Sequence, residues 1–138
     1  MDLNTFSDGF RAQIGERERV VAAVFTTYRF EPEFFEQEII PLMLDQGLAF
    51  SSDQRIKSIQ VREALSDAEL PVEIFYDLDL FRQQGTVSPS MEYLHHGVRG
   101  ERSAFHAKLV LLLLENKDSR EQCLCVGAGS ANLTIAGW

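Results

Sequence analysis

The chain has no long hydrophobic run. Its longest strictly apolar stretches, residues 20–25 and 109–114, hold six residues each, against the roughly 20 that a membrane-spanning helix needs. It opens with the acidic MDLNTFSDGF, which lacks the basic-then-apolar order of a secretory leader, so the expected location is the cytoplasm. It is poor in cysteine: Cys123 and Cys125 are the only two. Two residues apart on a strand, they share a face but cannot bridge comfortably. Buried free thiols in a reducing compartment are therefore expected, with no disulfide and no metal site. Positive charge is scarce as well, with 13 basic against 21 acidic residues and a net charge of −8. That excludes a domain holding nucleic acid by bulk electrostatics alone. The deficit is uneven, because residues 99–138 carry five basic and four acidic side chains.

Internal repeats and low-complexity tracts are also absent, and 138 residues suit one domain with a real core. The pattern RVVAAVFTTYRF over residues 19–30 predicts a central strand, apolar on both faces. Pro32, the acids after it, and Phe35, Ile39 and Leu42 at helical spacing predict a helix that Gly47 stops and Pro41 kinks or shortens. A short strand at 48–50 follows. Ser51 with Gln54 resembles a capping box for a helix from about residue 52, with Val61, Ala64, Leu65 and Ala68 as its buried stripe; Ile56 and Ile59 fall off that stripe. PVEIFYDLDLF reads as a strand and QQGTVSPS as a loop. Three strands then follow, at about 92–98, 104–114 and 122–126, the last two joined by the polar hairpin ENKDSRE. The class is α/β: a mixed β-sheet flanked by helices on its faces.

Two features call for chemistry. Alternation puts His106 and Lys108 on one strand face, at the start of an otherwise apolar run. The next strand empties into Gly127, Gly129, Ser130 and Asn132, small and polar residues that let backbone N–H groups approach an anion, ahead of what reads as a helix start. An imidazole, an ammonium, a hydroxyl and a carboxamide gathered together suit phosphoryl transfer without a metal or other cofactor. Singly, each has a plainer reading: a structural histidine, a solvated lysine, a turn. His95 and His96 point to opposite faces and lack metal-ligand spacing. Arg99 and Arg102 read as solvated loop residues or substrate-steering cations.

His-Ala-Lys followed by Gly-Ser-Ala-Asn resembles the paired motif of the phospholipase D superfamily, and "GSANLTIAGW" is most similar to its nuclease-like, tyrosyl-DNA phosphodiesterase branch. The motif covers residues 106–138. The resemblance implies a phospholipase D-like half-domain spanning residues 1–138 and a metal-independent phosphodiesterase acting on nucleic acid. It implies His106 as nucleophile or general acid, Lys108 and Asn132 as holders of phosphoryl oxygens, and Ser130, with Gly129 beside it, as substrate-binding. Many members carry an aspartate seven residues after the histidine; here that position is Leu113, as suits the tyrosyl-DNA branch. The family uses two such motifs per site, so self-association, or a second motif beyond a chain that reads as an N-terminal fragment, is expected. A non-catalytic scaffolding half-domain and a phospholipid phosphodiesterase or phosphatidyl transferase are the alternatives.

Overall fold

The computed structural model describes residues 6–44, 47–84 and 94–137. The expected loop at 83–90 passes outside these residues from 85 onward, as do the expected beginning of the third strand at Glu92 and the terminal Trp138. Five strands form one mixed sheet: β1 Glu18–Thr27, β2 Val72–Asp77, β3 His95–Val98, β4 Leu109–Asn116 and β5 Gln122–Ala128, in the order β3-β2-β1-β4-β5. β1, β2 and β3 run parallel, while β4 and β5 are antiparallel to their neighbours. The α/β class with a mixed sheet and flanking helices holds.

The helices are α1 Phe6–Gln13, α2 Pro32–Phe34, a wide π turn Phe35–Ile39, α3 Ile40–Met43, α4 Gln54–Asp67 and α5 Leu78–Gln84. The π turn answers Pro41. A proline there cannot donate to the carbonyl four residues back and its ring crowds that turn, so the helix widens and Ile40 donates to Phe35 instead. The helix then ends at Met43, four residues before Gly47. No strand forms at 48–50. α4 is capped by Asp53, whose carboxylate accepts from the N–H groups of Arg55 and Ile56, while Ser51 only supports that cap. Val61 and Leu65 are buried, Ala68 is exposed, and Ile56 and Ile59 face solvent. The segment read as a strand up to Phe81 ends that strand at Asp77 and turns into α5, because Asp77 caps it by accepting from the N–H of Leu80.

Among the described residues, the helices pack on one face of the sheet. Phe25, Ile74 and Leu112 share that face by register and pack with Phe10, Phe35, Ile39, Val61 and Leu65 in one core. The edge-on contact of Phe25 with Phe35, centroids 5.0 Å apart, anchors it. Connection handedness explains this one-sidedness. β1 to β2 and β2 to β3 both step the same way across the sheet, and right-handed crossovers then put every crossover helix on the same side. β4 and β5 follow as a hairpin and contribute no helix. The apolar run at 109–114 accordingly buries alternate residues, Leu112 and Leu114, rather than all six. Cys123 and Cys125 are free, but the expectation that both are buried fails. Cys123 is exposed and Cys125 only half-buried, because β5 is an edge strand.

His95 turns toward the core, its ring edge-on to Phe30 at 4.9 Å, and its Nε2 is buried without a hydrogen-bond partner. Burial, seconded by the charge of His96, pushes its pKa down to about 4. The unfolded chain, titrating near 6.5, therefore binds a proton that the fold refuses. Stability is full above pH 6.5 and falls as pH drops toward 4. Denaturant midpoints across that window should fall with acidification in the native chain and fall less steeply in His95→Phe.

Candidate active site

The carboxyl ends of β1 and β2, the chain entering β4 and the chain leaving β5 meet at one end of the sheet, the end where open α/β sheets bind ligands. Strand β4 begins only at Leu109, so His106 and Lys108 precede it on an extended segment. Two contacts fix that segment. Phe105 donates its N–H to Oδ2 of the buried Asp77 at 2.8 Å, and Leu109 donates to Thr26 Oγ1 at 2.8 Å. Asp77 thus ties α5 and the approach to His106 to the end of β2.

His106 is exposed and stacks on Tyr28, with centroids 4.4 Å apart. Lys108 Nζ lies 2.8 Å from His106 Nδ1 and 5.9 Å from the Tyr28 ring centre. With the ammonium donating to Nδ1, the neutral imidazole carries its proton on Nε2. The two residues expected on one face are in direct contact, over Tyr28, which patterning with Phe25, Phe30, Phe34 and Phe35 would assign to the core and which is instead half-buried at this end.

Asn132 arrives from the other side. Its Oδ1 accepts from the N–H of Arg29 at 2.9 Å, which orients the carboxamide and leaves Nδ2 as its donating end. The fully buried Thr27 organises this junction. Its hydroxyl donates to the Arg29 carbonyl at 2.6 Å, accepts the Leu133 N–H at 3.0 Å and lies 3.5 Å from Asn132 Oδ1. Glu31 completes the lacing: its N–H donates to the Leu133 carbonyl and its carboxylate accepts from Ile135. Gly137 closes against Asn132, for any Cβ there would collide with the Asn132 backbone. Tyr28 and Arg29, adjacent on the chain, therefore meet His106 and Asn132 respectively.

The expected anion cradle differs. The Gly129 N–H is committed to the Lys108 carbonyl at 3.3 Å, and no long helix follows Asn132 among the described residues, only a 3-10 turn at Ile135–Gly137. Backbone dipole gives way to side-chain donors: Lys108 Nζ, Asn132 Nδ2 and the exposed Ser130 hydroxyl. His96 pairs with Glu73 and stacks on Phe75, and Arg99 pairs with Asp79 at 3.2 Å. Both therefore have partners on or just after β2.

Thr27, Tyr28, Asp77 and Gly137 are the residues that motif reading passed over. A signal existed for two: Thr27 is a hydroxyl at an inward position of an apolar strand, and Asp77 an acid at the end of one. Thr27→Val should lower unfolding free energy by about 1–3 kcal/mol in urea titrations, because the Leu133 N–H and the Arg29 carbonyl lose their partner in a buried setting. Gly137→Ala should shift the Asn132 amide resonance while leaving those of β2 and β3 in place. No protein-family model matches the chain, and no curated protein or solved structure matches it significantly.

Proposed function

We propose that the chain is a metal-independent phosphodiesterase half-domain acting on nucleic acid, with His106, Lys108 and Asn132 at its centre and Ser130 and Gly129 at its margin. The observation that carries this reading is the direct Lys108–His106 contact, at the same sheet end where Thr27 and Arg29 hold the Asn132 carboxamide. A phosphodiester offers the ammonium a charged acceptor in place of an imidazole nitrogen. Lys108 then turns to the anion and releases the ring, and Asn132 Nδ2 shares the nonbridging oxygens. Nucleophilic attack by the imidazole forms an N–P bond as the ester P–O bond breaks. The departing oxygen takes its proton from a second imidazole, and water then cleaves the N–P bond.

The second imidazole has to come from a further motif, either on another copy or elsewhere in a longer chain. With Lys108 as the ammonium at this centre and a net charge of −8 over the chain, the arrangement suits a substrate held at one phosphate rather than through a broad positive field. The phospholipid alternative would use the exposed apolar side chains of β4 and β5, of which Leu109 directly follows Lys108. The scaffolding alternative would need only the fold.

Labelled single-stranded DNA, bis-p-nitrophenyl phosphate and phosphatidylcholine vesicles, each incubated in EDTA, test the proposal. Turnover of DNA and the small diester is expected, with a loss of roughly 10³-fold or more in His106→Ala and a smaller one in Asn132→Ala. Activity that survives His106→Ala, or that EDTA abolishes, overturns it. Preference for phosphatidylcholine moves the reading to lipids, and absence of turnover on all three favours the scaffold.

A further inference from the structure

His96 and His106 are both exposed and both stacked on an aromatic ring, but they keep different company. His96 lies on Phe75, centroids 5.0 Å apart, and is paired with the Glu73 carboxylate. His106 lies closer to its ring, 4.4 Å from Tyr28 with the planes 30° apart. Its Nδ1 faces the Lys108 ammonium at 2.8 Å, and among the described residues no carboxylate is bonded to it. An imidazole that turns cationic in a reaction is commonly steadied by an acid on its other nitrogen. His106 has no such acid, and the electron-rich group against it is the face of Tyr28.

We infer that Tyr28 is a positioning residue whose ring face stabilises the cationic form of His106. The step it serves rests on the phosphodiesterase reading, whereas its effect on the imidazole does not. Before reaction the charge beside the ring belongs to Lys108, whose Nζ is 5.9 Å from the Tyr28 centroid, at the limit of cation–π reach. Attack on phosphorus forms the N–P bond as the ester P–O bond breaks, and the leaving oxygen takes its proton from the second imidazole. The attacking ring, with phosphorus on one nitrogen and a proton on the other, becomes the cation. It lies 4.4 Å from the same aromatic face. Positive charge therefore moves toward Tyr28 as the reaction proceeds, so the attraction grows between ground state and transition state, which is what raises a rate. Tyr28 is held to this role by its neighbours. Buried Thr27 donates to the Arg29 carbonyl at 2.6 Å, and the Arg29 N–H is bonded to Asn132 at 2.9 Å. Phe105 and Leu109 pin the chain on either side of His106. The phenol hydroxyl is dispensable, since a phenylalanine face carries the same kind of quadrupole.

Tyr28→Phe and Tyr28→Leu separate the ring face from bulk. Acylation of the full chain by diethyl pyrocarbonate, mapped by mass spectrometry, reads the imidazole without any turnover. The N–C bond forms as ethyl carbonate leaves, and the ring is cationic until it sheds its proton. His96, on its own aromatic and with its own acid, is the internal reference. The His106 rate relative to His96 should be unchanged in Tyr28→Phe and fall about 3- to 10-fold in Tyr28→Leu. A side chain that only filled space would give the opposite sign, because leucine uncovers the imidazole. Turnover of bis-p-nitrophenyl phosphate in EDTA should follow, with kcat lowered by about the same factor in Tyr28→Leu and KM within about twofold. Far-UV spectra check both folds, and Tyr28→Met, whose flexible side chain fills the same gap, repeats the test should leucine unfold the chain. Unchanged or faster acylation of His106 in the leucine or methionine variant, or a loss in Tyr28→Phe as deep as in Tyr28→Leu, overturns the inference. Acylation that responds as expected in a chain that turns over no diester supports the role of the ring and counts against the phosphodiesterase reading alone.

Discussion

One buried hydroxyl ties the turn after β1 to the segment after β5, at the end of the sheet that carries His106 and Asn132. It belongs to Thr27, the last residue of the central strand, fully enclosed. The contacts that place Asn132 are referenced to it. Arg29, to whose carbonyl it donates, presents the N–H that orients Asn132. Tyr28, between them, supplies the ring beneath His106. Buried polar groups are costly unless satisfied and rigidifying when they are. A threonine here therefore fixes geometry that valine, its near-isostere, could not.

The rest of the architecture follows from where the crossovers go. Stepping twice in the same direction gathers α2, α3, α4 and α5 over Phe25, Ile74 and Leu112 and concentrates the core on one side. It also aligns the carboxyl ends of β1 and β2, so that Asp77 reaches across to the approach of His106. The same economy puts three of β4's five leucines, Leu109, Leu111 and Leu113, on the face away from the core. Site and bare face are two products of one topological choice.

Much of this was legible in the sequence, and the failures share a cause. Strand β1 and the hairpin at ENKDSRE came from periodicity and spacing, which are local, whereas His106 and Lys108, expected on one strand face, both precede β4 on an extended segment. The misread elements depended on partners distant in sequence or on competition between caps. Apolar VEIFYDLDLF reads as continuous strand until Asp77 is seen accepting from Leu80, converting its second half to helix. Ser51 matched a capping box, yet Asp53 sits closer to the first free amides and takes them. Both faces of β4 are equally apolar in sequence, so pattern alone could not reveal that only one is covered. Thr27 shows in sequence only as a hydroxyl at an inward strand position, because its partner is Leu133, 106 residues away.

The hairpin between the two motif halves has a further consequence. Lys108 and Gly129 face each other at the open end of the β4–β5 ladder, whose closed end is the Asn116–Glu121 turn. Because each rung couples one residue from either arm, residues can be gained or lost between the halves only in matched pairs if inward and outward sides are to stay in phase. Chains built on this plan can therefore differ in the length of that stem by even numbers while their two half-motifs still arrive opposite one another.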